Sequence, residues 1–340
     1  MGRVIVALVA LLFAAVIAAS SYIAYEAYTF LKVPPETPGR DIFFTVEPGE
    51  TFFKVAERLQ GAGLIRNVQY FRLLARWEQK LESIQAGEFK LNTGWTPHAV
   101  LDMLVSGKPI LYRLGIREGL TWWETAKIVE SAGYASFKDF SLAIRDKELL
   151  ARYKIPFESA EGFLYPETYL LKRPTGNDAR MIVELLLKTF REQTAKALPS
   201  GIAERPQELR DLIILASLVE KESAVPSERP RIAGVYTERL KRRMPLQCDP
   251  TIIYGLGETF DGNLTRKHIN DASNPYNTYQ HPGMPPGPIC SPGLSAIGAA
   301  AHPEAHDYLY FVARGDGSHV FSKSLDEHNR AVRKYQLKAR

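Results

Sequence analysis

Between Arg3 and Glu26 the chain runs for 22 residues, Val4 to Tyr25, without a charged side chain. A helix of that length rises about 33 Å, enough to cross the hydrocarbon of a bilayer. Arg3 on its amino-terminal side weakly favours an inside N-terminus, and Tyr22, Tyr25 and Tyr28 recur where an aromatic belt would sit at the far end. Ala18-Ala19-Ser20 resembles a signal-peptide cleavage site, the competing reading. The apolar region is long and the charged leader short for a signal peptide, so a retained anchor over residues 1–30 is favoured. Either reading exports the rest of the chain. Residues 31–41, with Pro34-Pro35 and Pro38-Gly39, read as a short proline-rich linker.

The remaining length suffices for two or three domains with cores of their own, since 45% of the 340 residues are hydrophobic. A net charge of +5 and a pI near 9.0 suit a polyanionic partner or an anionic membrane. Nucleic acid is the weakest choice, because the densest basic run, Lys241-Arg242-Arg243, reads as the basic end of a helix. Cys248 and Cys290 lack the spacing of a zinc site and are too few for a disulfide framework; whether they pair stays open. His302, Glu304 and His306 lie close together, but Pro303 interrupts them. No metal site and no cofactor are expected.

Two segments match at an offset of 70 residues. Gly49-Glu50-Thr51-Phe52-Phe53 aligns with Gly119-Leu120-Thr121-Trp122-Trp123, Ala56 with Ala126, Gly63 with Gly133, and Tyr70 and Leu74 with Phe140 and Ile144. Each copy reads as a strand, a glycine turn, a helix capped by Thr51 or Thr121, and a second helix. Adjacent aromatics cannot face one way on a helix, so one of each pair is expected inside and one partly exposed. Thr96-Pro97 opens a further helix. Val46-Glu47-Pro48-Gly49-Glu50-Thr51, followed by Val55-Ala56, resembles the start of a LysM module, which implies a small domain over residues 42–110 that binds N-acetylglucosamine polymers.

Asp211 to Ser223 is almost continuously apolar, as in a helix buried on most sides. Ile213, Ala216, Ser217 and Glu220 share a face, so the Glu220 carboxylate is expected to be desolvated and its pKa raised, the condition for a proton-donating acid. A solvated, frayed helix end is the opposing reading. Glu222 lies roughly 200° further around the helix and cannot pair with Glu220. Ser227 is expected to cap the next helix and Asp249 the one through Tyr254. From Asn274 to Gly293 six prolines and three glycines accompany Asn277, Thr278 and Tyr279, a rigid polar loop fit to wall a sugar cleft. Gly315-Asp316-Gly317-Ser318 reads as a hairpin turn, and Ser324 as the cap of a last helix.

Several stretches then resemble one family in order: Glu161 to Tyr169, Ser217 to Ser223, Leu246 to Gly255, Tyr276 to Tyr279, Pro285 to Ile289, and Tyr308 to Val312. The chain is similar over nearly its whole length to the YceG-like (MltG) family of endolytic murein transglycosylases. The resemblance implies a lyase that cuts the bond between N-acetylmuramic acid and N-acetylglucosamine in nascent peptidoglycan, leaves 1,6-anhydro ends and limits strand length. It implies Glu220 as the catalytic residue, and Gln247, Asp249, Thr251, Asn277, Thr278 and Tyr279 as sugar-holding groups. It also implies a single-pass inner-membrane protein with a periplasmic catalytic domain, working beside peptidoglycan synthases, the penicillin-binding proteins. Cys248 stands where the family has Thr or Ser, a weaker donor.

Two other functions compete: a conventional muramidase activating water through Asp249 or Glu222, and a non-catalytic wall-binding or scaffold protein. The expected fold is α+β: one transmembrane helix, the LysM-like domain, and a larger mixed catalytic domain over residues 111–340.

Overall fold

The uncharged N-terminal run forms one helix, α1 (Gly2–Lys32), in a computed structural model that describes residues 2–223 and 225–337. Its stretch Ile5–Lys32, which contains an 18-residue window of mean hydropathy 2.4, is long and apolar enough to span a membrane. The chain divides into two units, residues 1–112 with 170–173, and residues 113–169 with 174–340.

In the first unit α1 is followed by β1 (Asp41–Val46), α2 (Phe52–Gly61), α3 (Val68–Trp77), β2 (Gly87–Asn92) and α4 (Pro97–Ser106). β1 and β2 pair antiparallel with Phe44 opposite Phe89, so period-two alternation sends Phe44, Val46, Phe89 and Leu91 into the core. Val55, Leu59, Phe71, Leu101 and Leu104 meet them from the helices. Thr51, Asn67 and Thr96 cap α2, α3 and α4 through side-chain oxygens, and Pro97 starts α4 as expected.

The proline-rich segment is not a free tether. Phe30 is buried against this core, with its ring edge-on to Tyr70 at 5.6 Å. The Glu36 amide donates to the Thr93 carbonyl (3.2 Å), the Arg40 amide to Thr93 Oγ1 (2.9 Å), and Arg66 to the Pro34 carbonyl (2.8 Å). Proline stiffness predicts a spacer; local hydrogen bonding and the Phe30 anchor turn it into a brace.

The second unit, which excludes only Tyr112, Leu170 and Leu171 of the elements that follow, holds β3 (Tyr112–Gly115), α5 (Trp122–Ser131), α6 (Phe137–Ala143), α7 (Lys147–Arg152), β4 (Thr168–Leu171), α8 (Ala179–Thr194) and α9 (Pro206–Glu222). It continues with α10 (Arg229–Lys241), α11 (Asp249–Leu256), α12 (Arg266–Ile269), α13 (Leu294–Ala301), β5 (Tyr310–Ala313), β6 (His319–Ser322) and α14 (Leu325–Val332). Three two-stranded sheets among the described residues, β1–β2, β3–β4 and β5–β6, beside many helices make the class α+β.

The internal repeat is real at the level of local structure. Gly49 and Gly119 turn with φ of 77° and 75°, Gly63 and Gly133 with 72° and 79°, and Thr121 forms a full capping box with Glu124. The aromatic pairs behave differently from each other. Phe53 is exposed while Phe52 stacks on Phe71, as expected; Trp122 and Trp123 are both half-buried, because Phe137 packs on one and Tyr254 on the other.

Helix α9 is the buried axis of this unit. Ile213 through Val219 are all buried, with α13, α10 and α11 against it. Its Ser217 hydroxyl donates to the Ile214 carbonyl and accepts the Ile289 amide (3.1 Å), pinning the proline-rich loop to the helix. At Gly162 (φ 84°) a side chain would collide with Pro288 and Ile213, so the loop and α9 approach each other over bare backbone. The β5–β6 hairpin turns through Gly315 and Gly317, and Ser324 caps α14 by accepting the Glu327 amide, both as expected. Ser227 does not cap α10: it lies in a 3₁₀ turn, Pro226–Glu228, that runs straight into Arg229.

Candidate active site

The last turn of α9 aims two carboxylates in different directions. Glu220 has a side chain only 6% exposed, and both its oxygens are taken. Oε1 accepts from Arg229 Nη2 (2.9 Å) and Oε2 from the Gly293 amide (2.9 Å). Burial pushes its pKa above the usual carboxylate value, while the Gly293 amide and the Arg229 cation pull the other way. Glu118 adds to the rise and also approaches Arg229, at 3.9 Å. Arg229 is itself buried, and its Nε has no hydrogen-bond partner among the described residues. Desolvation is therefore as the apolar face predicts, but the carboxylate sits inside an ion pair that joins α9 to α10 and to the loop before α13.

Glu222 faces the other way, into a cavity of about 410 Å³. Tyr236 OH and Cys248 Sγ both donate to its Oε1, each at 3.2 Å. Oε2 has no partner among the described residues. Burial raises the Glu222 pKa, the thiol and phenol donors oppose that rise, and the neighbouring Asp249 adds to it. Gln247, Asp249, Tyr279, Arg239, Tyr310 and His319 share the cavity wall. The Arg239 guanidinium, buried, donates to the carbonyls of Leu309 (2.7 Å) and Leu246 (2.8 Å), holding the β5 strand and the Gln247 turn on opposite sides.

The six expected sugar-holding residues divide in two. Gln247 and Asp249 are exposed and Tyr279 half-buried, all on the Glu222 cavity. Thr251, Asn277 and Thr278 are buried and occupied within the protein. Thr251 Oγ1 donates to the Cys248 carbonyl and meets Thr278 Oγ1 at 3.0 Å; Thr278 Oγ1 accepts the Cys248 amide. Asn277 Nδ2 donates to the carbonyls of His268, Ile269 and Asp271, and its Oδ1 accepts the Tyr279 amide. Side chains without free valence shape a wall and do not grip a ligand. Asp249 is not the cap of α11 but its first residue, after Cys248, and its Oδ1 accepts from Tyr279 OH at 2.6 Å.

Both thiols are free and buried. The Cys248 thiol, expected to cost a contact, makes one, to Glu222. Glu304 pairs with Arg231, and His306 Nε2 lies 2.9 Å from the Arg231 carbonyl, so these side chains are engaged in packing.

Sequence reasoning weighs Glu222 only as a water-activating residue and passes over Glu161. It rules out pairing Glu222 with Glu220 because the two cannot share a face, although Leu215, Leu218 and Val219 give Glu222 the same apolar spacing. Glu161, 2% exposed, accepts from the Trp122 amide, Tyr254 OH and the Gly162 amide, and burial pushes its pKa up to about 7. It lies at a second cleft, of about 780 Å³, beside Trp122, Phe157, Tyr254 and Tyr276.

An endolytic murein transglycosylase of Bacillus subtilis is 30% identical over 308 residues, which are 85% of this chain and 83% of that protein. One from Streptococcus pneumoniae is 28% identical over 95% of this chain, and the match spans 63% of that longer protein. The crystal structure of a YceG-like protein from Listeria monocytogenes superposes with a TM-score of 0.57 at 28% identity, covering 86% of this chain and 99% of that one. The YceG-like family profile matches residues 44–334, and the chain belongs to that family.

Proposed function

We propose that the chain is an endolytic murein transglycosylase, a lyase acting on peptidoglycan, and that Glu222 is its catalytic acid in place of Glu220. One observation carries the assignment: among the described residues, Glu222 alone of the pair keeps an oxygen without a partner, on a cavity walled by polar groups. Glu220 would have to break an ion pair and an amide bond before meeting substrate.

Glu222, protonated because burial disfavours its charge, gives its proton to the oxygen between N-acetylmuramic acid and N-acetylglucosamine. The C1–oxygen bond breaks, and the leaving sugar departs as an alcohol carrying that proton. The muramoyl 6-hydroxyl closes onto C1, and its proton returns to Glu222, regenerating the acid. A single carboxylate suffices because the nucleophile is part of the substrate and already within reach. Gln247, Asp249 and Tyr279 hold the sugars; Thr251, Asn277 and Thr278 set the wall. No cofactor enters.

The other parts of the chain fit the same reading. α1 is a retained single-pass anchor in the inner membrane, with both units on the periplasmic side. The first unit is a LysM-like module for N-acetylglucosamine polymers, supported by its strand-helix-helix-strand order. The working partners are glycan strands and peptidoglycan synthases.

Asp249 on the same wall favours one second reading, a muramidase in which it activates water. Mass spectrometry of products from purified glycan strands separates the two. Anhydro ends with wild type, and none with Glu222→Gln, support the proposal; reducing ends establish the hydrolase. Asp249→Asn then loses about 2- to 10-fold if the residue only holds sugar, and about 10²-fold or more if it activates water.

A further inference from the structure

We propose that α3 is a second membrane contact, its Leu73–Trp77 edge lying in the lipid interface beside α1. Trp77 is 88% exposed and Leu73 58%, one turn apart on a helix whose other face is fully packed. Two exposed apolar side chains of that size would be unremarkable singly; here they flank a groove whose opposite wall is the anchor itself.

That groove, about 440 Å³ and almost wholly apolar, is lined by Ile23, Ala27 and Phe30 from α1 and by Tyr70, Leu73 and Trp77 from α3. The spacings of 4 and 3 on α1, and of 3 and 4 on α3, are those of single helical faces. Its inner end is closed where Phe30 meets Tyr70 at 5.6 Å. Its position along the anchor decides the occupant. A bilayer core takes about 20 helical residues, so an apolar run entering at Val4 leaves the hydrocarbon near Ile23. The groove therefore straddles the outer boundary of the bilayer, and the faces that line it continue the lipid-facing surface of α1.

The flanking charges fit the same occupant. Arg72 and Arg76, immediately before Leu73 and Trp77, are exposed and have no ion-pair partner among the described residues. An interfacial helix of this kind buries its apolar edge at the acyl boundary and offers cations to phosphates, and tryptophan is enriched at that depth. The groove accepts an acyl chain or the upper part of one.

The test uses the full chain in nanodiscs whose lipids carry bromine near the top of the acyl chain, a short-range quencher of tryptophan emission. Wild type should lose a portion of its emission that Trp77→Phe does not lose, and Leu73→Asp should abolish that portion as well. Anionic lipid should enlarge it, and Arg72→Gln with Arg76→Gln should remove the enlargement. Equal quenching of wild type and Trp77→Phe overturns the proposal. So does protection of Trp77 that rises with the number of copies per disc without lipid quenching, since a second copy would then fill the groove. All of these substitutions lie on the surface, so circular dichroism should be unchanged.

Discussion

Glu220 and Glu222 stand two residues apart on one helix, in one unit, and both are desolvated, yet their surroundings make them opposites. Both oxygens of Glu220 are held, one by a cation and one by an amide; Glu222 is buried where its charge is disfavoured, with one oxygen left open. Burial by itself therefore does not make a carboxylate an acid catalyst. A proton donor also needs an oxygen free to face a cavity, and that depends on which elements the rest of the chain packs onto each side of the helix.

The contrast can be broken most sharply by amide substitution. Glu222→Gln should lower strand cutting by about 10²–10⁴-fold, the usual worth of a general acid, with melting temperature nearly unchanged. Equal loss from Glu220→Gln in a protein that remains folded would falsify the assignment. Glu220→Gln should instead destabilise, by about 3–5 kcal/mol, because Arg229 is left buried without its counter-charge; thermal unfolding reads this directly.

Glu161 sharpens the comparison as a third buried acid. Its pKa of about 7 when folded exceeds the ordinary value near 4.3. In that interval the folded chain binds more protons than the unfolded one. Its contribution is therefore complete below about pH 4.3 and is lost as pH rises toward 7. Wild type should lose stability across that window, and Glu161→Gln should flatten the slope in melts taken at several pH values. With Glu222 as the proposed acid, activity should fall as pH rises through its elevated pKa. Tyr236→Phe removes a donor that favours the charged form, so the alkaline limb should move up by about one pH unit. An unmoved limb would assign the titration to another group.

Much of this architecture can be read from residue order. The membrane helix, the caps at Thr51, Thr121 and Ser324, the hairpin turn and the duplicated strand-turn-helix units rest on local physics, and the motif spacings point to the right family. The choice between Glu220 and Glu222 cannot be read that way, because α9 is buried nearly all round and its periodicity carries no information about sides. What distinguishes them is Arg229 and Gly293 on one flank and Tyr236 and Cys248 on the other, contacts spanning up to 73 positions. Thr251, Asn277 and Thr278 stand out by polarity, which is the same for a residue that grips a sugar and one that braces a loop. Asp249 resembles a cap because its type and place suit one, and only the Tyr279 phenol shows where its oxygen is used.

Phe30 belongs to the final turns of α1 and also to the interior of the first unit. The helix is consequently a stem and not a leash. If α1 spans a bilayer as proposed, any tilt that a thinner or thicker bilayer imposes on it is passed without slack to the sheet and helices seated on it.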